Sequence, residues 1–389
     1  MMAKKKKSFL LIILIALPAL CLLLLGVSYL GNLSVPSPSA SVEILSELDK
    51  AHIAEVLHVR QTLGNAVWPG WGDVDIPVLV YNEQYAFLAG VQNPSSGWVN
   101  VSTNQQKGTA WELVEGDDFL GQPYNRQLLS PGGATPQAFT VKIGENWVAS
   151  MPTRESLLIS LDQQIRSDFG PVFPHWWFTR QLAGDSEVYI GGLLHESFHA
   201  FQGITAGDRL LAGENALRMG EAAYPWEEKT HVMNWQIELD TLAGALRAET
   251  PEEMEAMVQQ FLELRSARRT ANALTDNLIN LERWREWEEG LAKYTELESL
   301  RQAASAPEYA AVDVLKVDPD FHSYRGFQRR WSNELTTLTR QASADENRFY
   351  YSGMAQAFLL DRLMPGWKHR AMQENVWLED LLVEALLKK

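Results

Sequence analysis

Two histidines four residues apart, with a glutamate directly after the first, are the residues of this chain best suited to chemistry. They lie in LLHESFHAFQG, residues 193–203. On an α-helix, positions i and i+4 share one face, so His195 and His199 can turn their imidazole nitrogens toward a single ion. Glu196 lies about 100° around the helix, where its carboxylate can take a proton from a metal-bound water without binding the ion itself. The pattern predicts a divalent metal site, and zinc suits imidazole ligands.

The third ligand that a catalytic zinc site needs is not a histidine shortly after the motif. The candidates are carboxylates in later helical segments: Glu214, Glu221, Glu228 and Glu289. We favour Glu289 because Gly290 and Ala292 follow it, and small residues would let this helix approach the HESFH helix closely. Glu288 faces another direction. Glu221 in MGEAAYP is the nearest alternative for the third ligand. The non-functional interpretation is that Glu289 is a solvated carboxylate on a helix surface.

HESFH followed by EGLAKY at residues 289–294 resembles the gluzincin-type zinc metallopeptidases, whose third ligand is a glutamate on a downstream helix. The aminopeptidases of that group are similar locally, since they carry a glutamate followed by Gly-x-Ala there, and Glu296 matches a further glutamate in many of them. The resemblance implies that His195, His199 and Glu289 are zinc ligands and that Glu196 is the general base. It covers two short motifs.

The chain also departs from those enzymes. The segment between the second histidine and Glu289 is much longer, the GxMEN exopeptidase motif is missing from the sequence, and Lys293 stands where thermolysin-like enzymes place an aspartate behind a ligand histidine. Metzincins are excluded because no histidine follows the motif closely. As a whole, the chain resembles a membrane-anchored bacterial protein.

A gluzincin also needs a donor for the oxyanion of its tetrahedral intermediate, usually a tyrosine or a histidine. NRFYYSG offers Tyr350 and Tyr351, and FHSYRGF offers His322 and Tyr324. Tyr351 is the first choice among them. Packing of aromatic side chains is the simpler explanation for all four.

The composition restricts the possible partners. The chain has 389 residues, 46% of them hydrophobic and 21% charged, with a net charge of −15. Four lysines lie in the N-terminal tail, so the remainder is more acidic still, which argues against a nucleic-acid partner. The one cysteine, Cys21, excludes a disulfide framework within the chain.

The N-terminus carries a lysine cluster and then about 22 apolar residues, enough to cross a roughly 30 Å hydrocarbon core. Residues 1–33 are therefore predicted to be a cytoplasmic tail and a single transmembrane signal anchor, with the C-terminal bulk extracytoplasmic. The alternative is a cleaved signal peptide and a secreted protein. Residues 34–43, rich in proline and serine, are predicted to be a linker.

The remaining chain predicts two regions. Residues 44–185 read as an α+β region, with helices at 44–67 and 153–170 and strands at 76–82, 85–91, 97–102, 137–143 and 146–151. Residues 186–389 read as helical, and HESFH opens this part. A strand or turn leads into the motif helix and Gly203 ends it. The predicted helices are 188–202, 208–222, 226–248, 252–304, 328–341, 346–363 and 373–388. The fold class expected is α+β, with a transmembrane helix and a zincin-like helical region.

The function that these patterns favour is an extracytoplasmic zinc metallohydrolase that cleaves peptide or protein substrates. A metal-bound water would attack the carbonyl, and Glu196 would serve as the general base. The alternative is a non-catalytic ectodomain that binds metal and has a binding or scaffolding role. A scaffold without metal is a weaker third hypothesis.

Overall fold

The strands of the N-terminal half alternate apolar side chains between two faces of a sheet, and each face is covered. In the computed structural model, Val78 and Val80 of the first strand belong to the main hydrophobic core, whereas Leu79 belongs to a smaller core on the opposite face. This is the two-residue period of a strand that is buried on both sides. The structure describes residues 2–101, 103–130, 135–136, 141–343 and 346–388, with backbone only for residues 2–15 and 183.

The described strands form one eight-stranded sheet in the order β4-β3-β7-β8-β1-β2-β6-β5. They are β1 Val78–Tyr81, β2 Tyr85–Ala89, β3 Trp98–Asn100, β4 Gln105–Lys107, β5 Glu112–Leu113, β6 Asn125–Leu128, β7 Val141–Ile143 and β8 Asn146–Pro152. β1 and β8 pair in parallel, with Leu79 opposite Ser150, and the other pairs are antiparallel. Residues 102 and 137–140 of the predicted strands lie outside the described residues.

Helices make up most of the rest. They are α1 Met2–Asn32, α2 Glu47–Val67, α3 Arg154–Phe169, α4 His175–Ala183, α5 Ser186–Gly220, α6 Lys229–Arg247, α7 Pro251–Ala271, α8 Asp276–Arg285, α9 Leu291–Ser305, α10 Phe327–Leu338, α11 Asn347–Leu363, α12 Trp367–Ala371 and α13 Leu378–Leu387. A π-turn, Glu286–Gly290, joins α8 to α9 without a break. Ser46 and Asp49 form a capping box at the start of α2, as their spacing favours.

The architecture is mixed α/β, so the predicted α+β class is wrong. The physical reason is that the sheet and the helices share one hydrophobic core. Ala149 of β8, Val56 of α2, Phe198 of α5 and Leu297 of α9 are all buried in the same hydrophobic core. That core spans residues on both sides of the predicted boundary at 185/186.

The predicted transmembrane anchor at residues 1–33 is also wrong. In the part of the chain that the structure describes, no helix has the length and apolar character that crossing a bilayer requires. At the end of α1, Ser28 Oγ donates to the carbonyl of Val172 at 2.6 Å, and Asn32 Nδ2 donates to that of Pro171 at 2.9 Å. The last turns of α1 therefore contact the rest of the protein. The single-pass localisation, which depended on this anchor, is wrong with it.

Candidate metal centre

Helix α5 presents the two histidines on one face. The Nε2 atoms of His195 and His199 lie 3.0 Å apart, and their rings meet at 79°. Leu194, Phe198 and Phe201 on the other faces are buried in the core, which fixes the rotation of the helix. The core therefore holds both imidazoles in place before any ion binds.

Two local expectations about this helix are wrong. The segment before the motif is helical, since α5 begins at Ser186, and Gly203 does not end the helix. A Cβ at Gly203 would lie 2.3 Å from the Trp147 ring, so the glycine allows α5 to cross β8 closely. The helix instead kinks at Ala206, whose φ of −147° and ψ of 46° are non-helical.

The carboxylate of Glu289 completes the group. Its Oε2 lies 3.3 Å from Nε2 of His195 and 3.2 Å from Nε2 of His199. One ligand atom from each of the three side chains lies within 4.8 Å of the others, and all three residues are buried. Within the described residues, this is the one group of three or more histidine, cysteine or acidic side chains that converges in this way.

Glu289 reaches the histidines from the π-turn. A π-turn inserts one extra residue into a helix and often marks a functional site. Gly290, expected to bring this helix close to α5, instead meets α11, because a Cβ there would lie 2.4 Å from the Cα of Gly353. A close contact on the α5 side is made by Gly191, because a Cβ built on it would lie 3.2 Å from Cγ of Glu296.

Both imidazoles have partners behind them. His199 Nδ1 lies 2.9 Å from Oε1 of Gln202, whose Nε2 donates to the carbonyls of Trp287 and Glu288 at 3.0 and 3.2 Å. Such contacts fix which ring nitrogen faces a metal. Gln202 was not singled out from the sequence, although its position three residues after His199 was the available signal.

Behind His195, the Nδ1 atom lies 3.8 Å from Oε2 of Glu296. Oε1 of Glu296 accepts from Lys293 Nζ at 2.9 Å and from Arg330 Nη2 at 2.7 Å. Lys293, which stands where thermolysin-like enzymes have an aspartate, thus holds the carboxylate of Glu296 that lies behind His195.

The charges of the group are strongly coupled. Burial alone would raise the pKa of Glu289, but Arg285 and His199 outweigh it and hold that pKa well below its usual range. Burial also lowers the pKa of His195. At His199 burial acts in the same direction, but Glu289 outweighs it and raises the pKa to about 10. These opposite shifts favour a neutral imidazole at His195 and an imidazolium at His199.

Glu196, which directly follows His195, has one carboxylate oxygen without a hydrogen-bond partner. This oxygen, Oε2, is buried. Burial raises the pKa of its carboxyl to about 8, with Glu289 and Glu296 adding to the shift and His199 opposing it. Tyr81 on β1, also missed in the sequence, interacts electrostatically with Glu196 and forms a hydrogen bond with Thr135. An unpartnered buried carboxylate oxygen is costly unless something else uses it.

Among the candidate oxyanion donors, Tyr350 lies at the site. Its ring is nearly parallel to that of His195, with centroids 5.8 Å apart, and its hydroxyl forms a hydrogen bond with Glu289. The hydroxyls of Tyr351 and Tyr324 donate elsewhere, to Glu334 and Glu55, each at 2.8 Å. The exposed His322 lies 3.8 Å from Asp185.

The competing carboxylates do not join the histidines. Glu221 is exposed in a 3₁₀ turn after α5, and Glu228 caps α6. Glu214 lies 3.9 Å from Arg285. Among the four carboxylates considered from the sequence, Glu289 is the one that reaches the two imidazoles.

Two imidazoles and one carboxylate fit a divalent transition metal such as zinc, and the same set also suits other first-row ions. The buried, unpartnered oxygen of Glu196 adds to this fit. No protein-family model matches the chain, and neither a curated protein nor a solved structure matches it significantly.

Proposed function

We propose that this protein is a metal-dependent hydrolase of the gluzincin type, with zinc as its ion and the amide bond of a peptide or protein as its substrate. The observation that carries the proposal is the convergence of His195, His199 and Glu289 beside a carboxylate with an unpartnered oxygen. The order HESFH and then EGLAKY supports the same class.

The chemistry divides between the ion and the side chains. A divalent ion held by these three residues would polarise a substrate carbonyl and make a bound water more acidic. In this proposal Oε2 of Glu196 would accept a proton from the attacking water, and Glu196 would pass that proton to the leaving nitrogen. The positive charge of the ion would also favour the ionised carboxylate that this role requires.

We further propose Tyr350 as the donor to the developing oxyanion, in place of Tyr351. Its hydroxyl already reaches Glu289, next to the positions of the ligand atoms. For this role the hydroxyl would turn its proton from Glu289 toward the new charge. The hydroxyl of Tyr351 donates instead to Glu334, which is not one of the three converging side chains.

One observation favours a second candidate function, a protein that binds metal without catalysis. His195, Glu196, His199 and Glu289 are only 8, 9, 5 and 4% exposed. A structural zinc site is closed, whereas a catalytic one keeps a position open for water or substrate. The two functions therefore differ in whether substrate reaches the ion.

The deciding experiment measures metal content and hydrolysis of a peptide library on the same purified samples. We expect Glu289→Ala to lose stoichiometric zinc and Glu221→Ala, its matched control, to keep it. Glu196→Gln should keep zinc and lose roughly 10²–10⁴-fold in rate, the usual contribution of a general base.

The outcomes separate the two candidates. Stoichiometric zinc without hydrolysis by the wild type would favour the non-catalytic protein. Full zinc in Glu289→Ala, or unchanged hydrolysis in Glu196→Gln, would overturn the proposed hydrolase.

A further inference from the structure

Arg285, the last residue of α8, is buried among four carboxylates. Its Nη1 donates to Oε2 of Glu288 and its Nη2 to Oε1 of Glu289, each at 2.8 Å. Nη2 also contacts Oε2 of Glu346, and Nη1 lies 3.9 Å from Glu214. One guanidinium thus compensates several acids next to the metal centre.

The contact with Arg285 gives the two oxygens of the Glu289 carboxylate different surroundings. Oε1 is held by Arg285, while Oε2 is the oxygen that faces both histidine nitrogens. A free carboxylate can bind a metal through one oxygen or through both. The charge-assisted hydrogen bond to Oε1 favours ligation of the ion through the other oxygen, Oε2.

The π-turn is fixed at the other side as well. Glu286, its first residue, accepts from Arg265 through both oxygens, at 2.5 and 2.7 Å. Ser352 of α11 also donates to Glu286. The turn that carries Glu289 is therefore held by one arginine before it and by a second arginine from α7.

We infer that Arg285 is a positioning residue, which restricts Glu289 to one ligating oxygen and holds that oxygen toward His195 and His199. The inference rests on the proposed metal binding. The fork of the guanidinium is essential to it, because separate nitrogens must hold Glu288 and Glu289 at the same time. A lysine ammonium is a single point charge and cannot reproduce that fork.

The test compares Arg285→Lys and Arg285→Gln with the wild type and with Arg283→Gln. Arg283 lies on the same helix but pairs with Glu379. The zinc dissociation constant is measured on metal-free protein by competition with a chromophoric chelator. We expect Arg285→Gln to weaken binding by about 10–100-fold, the range for residues behind metal ligands. Arg285→Lys should fall between it and the wild type, and Arg283→Gln should match the wild type.

A second readout distinguishes positioning from a general structural role. The visible absorption of Co²⁺ in the same variants reports the coordination number of the ion. In Arg285→Lys the freed oxygen of Glu289 should also bind, so the absorption should weaken even where the melting temperature is unchanged. This variant decides the matter if Arg285→Gln does not fold.

Two results would overturn the inference, and they are distinguishable. Wild-type affinity together with a wild-type Co²⁺ spectrum in Arg285→Lys would refute the role of Arg285 alone. A wild-type protein that binds neither ion would refute the proposed function and this inference together.

Discussion

Two buried clusters of charged side chains lie in the helical part of this protein, and they differ in how completely their charges are paired. The first is an arginine–glutamate network made of Glu238, Arg265, Arg268, Arg269, Glu282, Glu286 and Glu379. Both oxygens of each of its four glutamates accept hydrogen bonds from arginines of the network. Pairing of every carboxylate oxygen in this way is what a structural role requires of buried acids.

The candidate metal centre is different, because one of its buried carboxylate oxygens has no hydrogen-bond partner. The Nε2 atoms of His195 and His199 face each other and share their neighbourhood with Oε2 of Glu289. Oε2 of Glu196 has no partner. Three side chains that can each ligate an ion, next to a carboxylate oxygen without a partner, form a group that a bound cation would stabilise. The comparison therefore favours a structural role for the network and supports the proposed metal binding at the centre.

The largest effect on stability is expected in the network. Arg268→Met leaves the buried carboxylates of Glu238 and Glu282 without their main partner, so the free energy of unfolding should fall by about 3–5 kcal/mol. Urea denaturation measures this change. Lys316→Met, which breaks an exposed pair with Asp313, is the control and should cost about 0–1 kcal/mol. The zinc affinity of the folded Arg268→Met protein should stay unchanged. A loss of zinc binding in this variant would contradict the separate roles given to the two clusters.

Acid should weaken the network next. Burial raises the pKa of Glu379, but Arg269 and Arg265 outweigh it and lower the pKa to about 2 from 4.5. Because the folded-state pKa is the lower one, this stabilisation is complete above pH 4.5 and is lost as the pH falls toward 2. It amounts to roughly 3 kcal/mol.

Urea denaturation at several pH values between 5 and 2.5 tests this expectation. The free energy of unfolding of the wild type should fall more steeply with acid than that of Glu379→Gln. Equal slopes in the two proteins would contradict the assignment of this acid sensitivity to Glu379.

The smallest effect is expected from Gln202 behind His199. Gln202→Met removes the acceptor for His199 Nδ1 and should weaken zinc binding by about 10–100-fold. Gln356→Met removes another buried glutamine, on α11, and should leave the affinity unchanged. Competition with a chelator measures both. If the two variants behave alike, the loss reflects general destabilisation and not the contact with His199.

Local patterns predicted the parts of the centre that lie on one helix. The spacing of His195 and His199 required only that α5 be helical there. Glu289 was chosen from its glycine-containing surroundings and from a resemblance, and its role as a ligand stays a prediction, although the structure brings it to the histidines. Arg285 and Gln202 were missed although their contacts with Glu288, Glu289 and His199 span only three or four residues. Polar pairs at that spacing are common on helix surfaces, so the spacing alone did not single them out.

Local sequence patterns also predicted the fold only in part. The apolar strands β1 and β2 lie within predicted strands, and β8 extends one residue beyond its predicted range, whereas β4, β5 and β6 were missed. These three are short and polar, as in QQK of β4 and NRQL of β6, so their pairing depends on neighbouring strands. Gly203 was read as a helix end because sequence cannot distinguish a terminating glycine from one packed against an aromatic ring such as Trp147.

The central claim, that one cation is bound by two imidazoles of α5 and a carboxylate of the π-turn, is tested most directly by a crystal structure of the zinc-loaded protein with anomalous data at the zinc edge. The account predicts one strong peak about 2.0–2.2 Å from Nε2 of His195, Nε2 of His199 and Oε2 of Glu289. Zinc-soaked crystals without a peak there, or with zinc bound only at other residues, would contradict it.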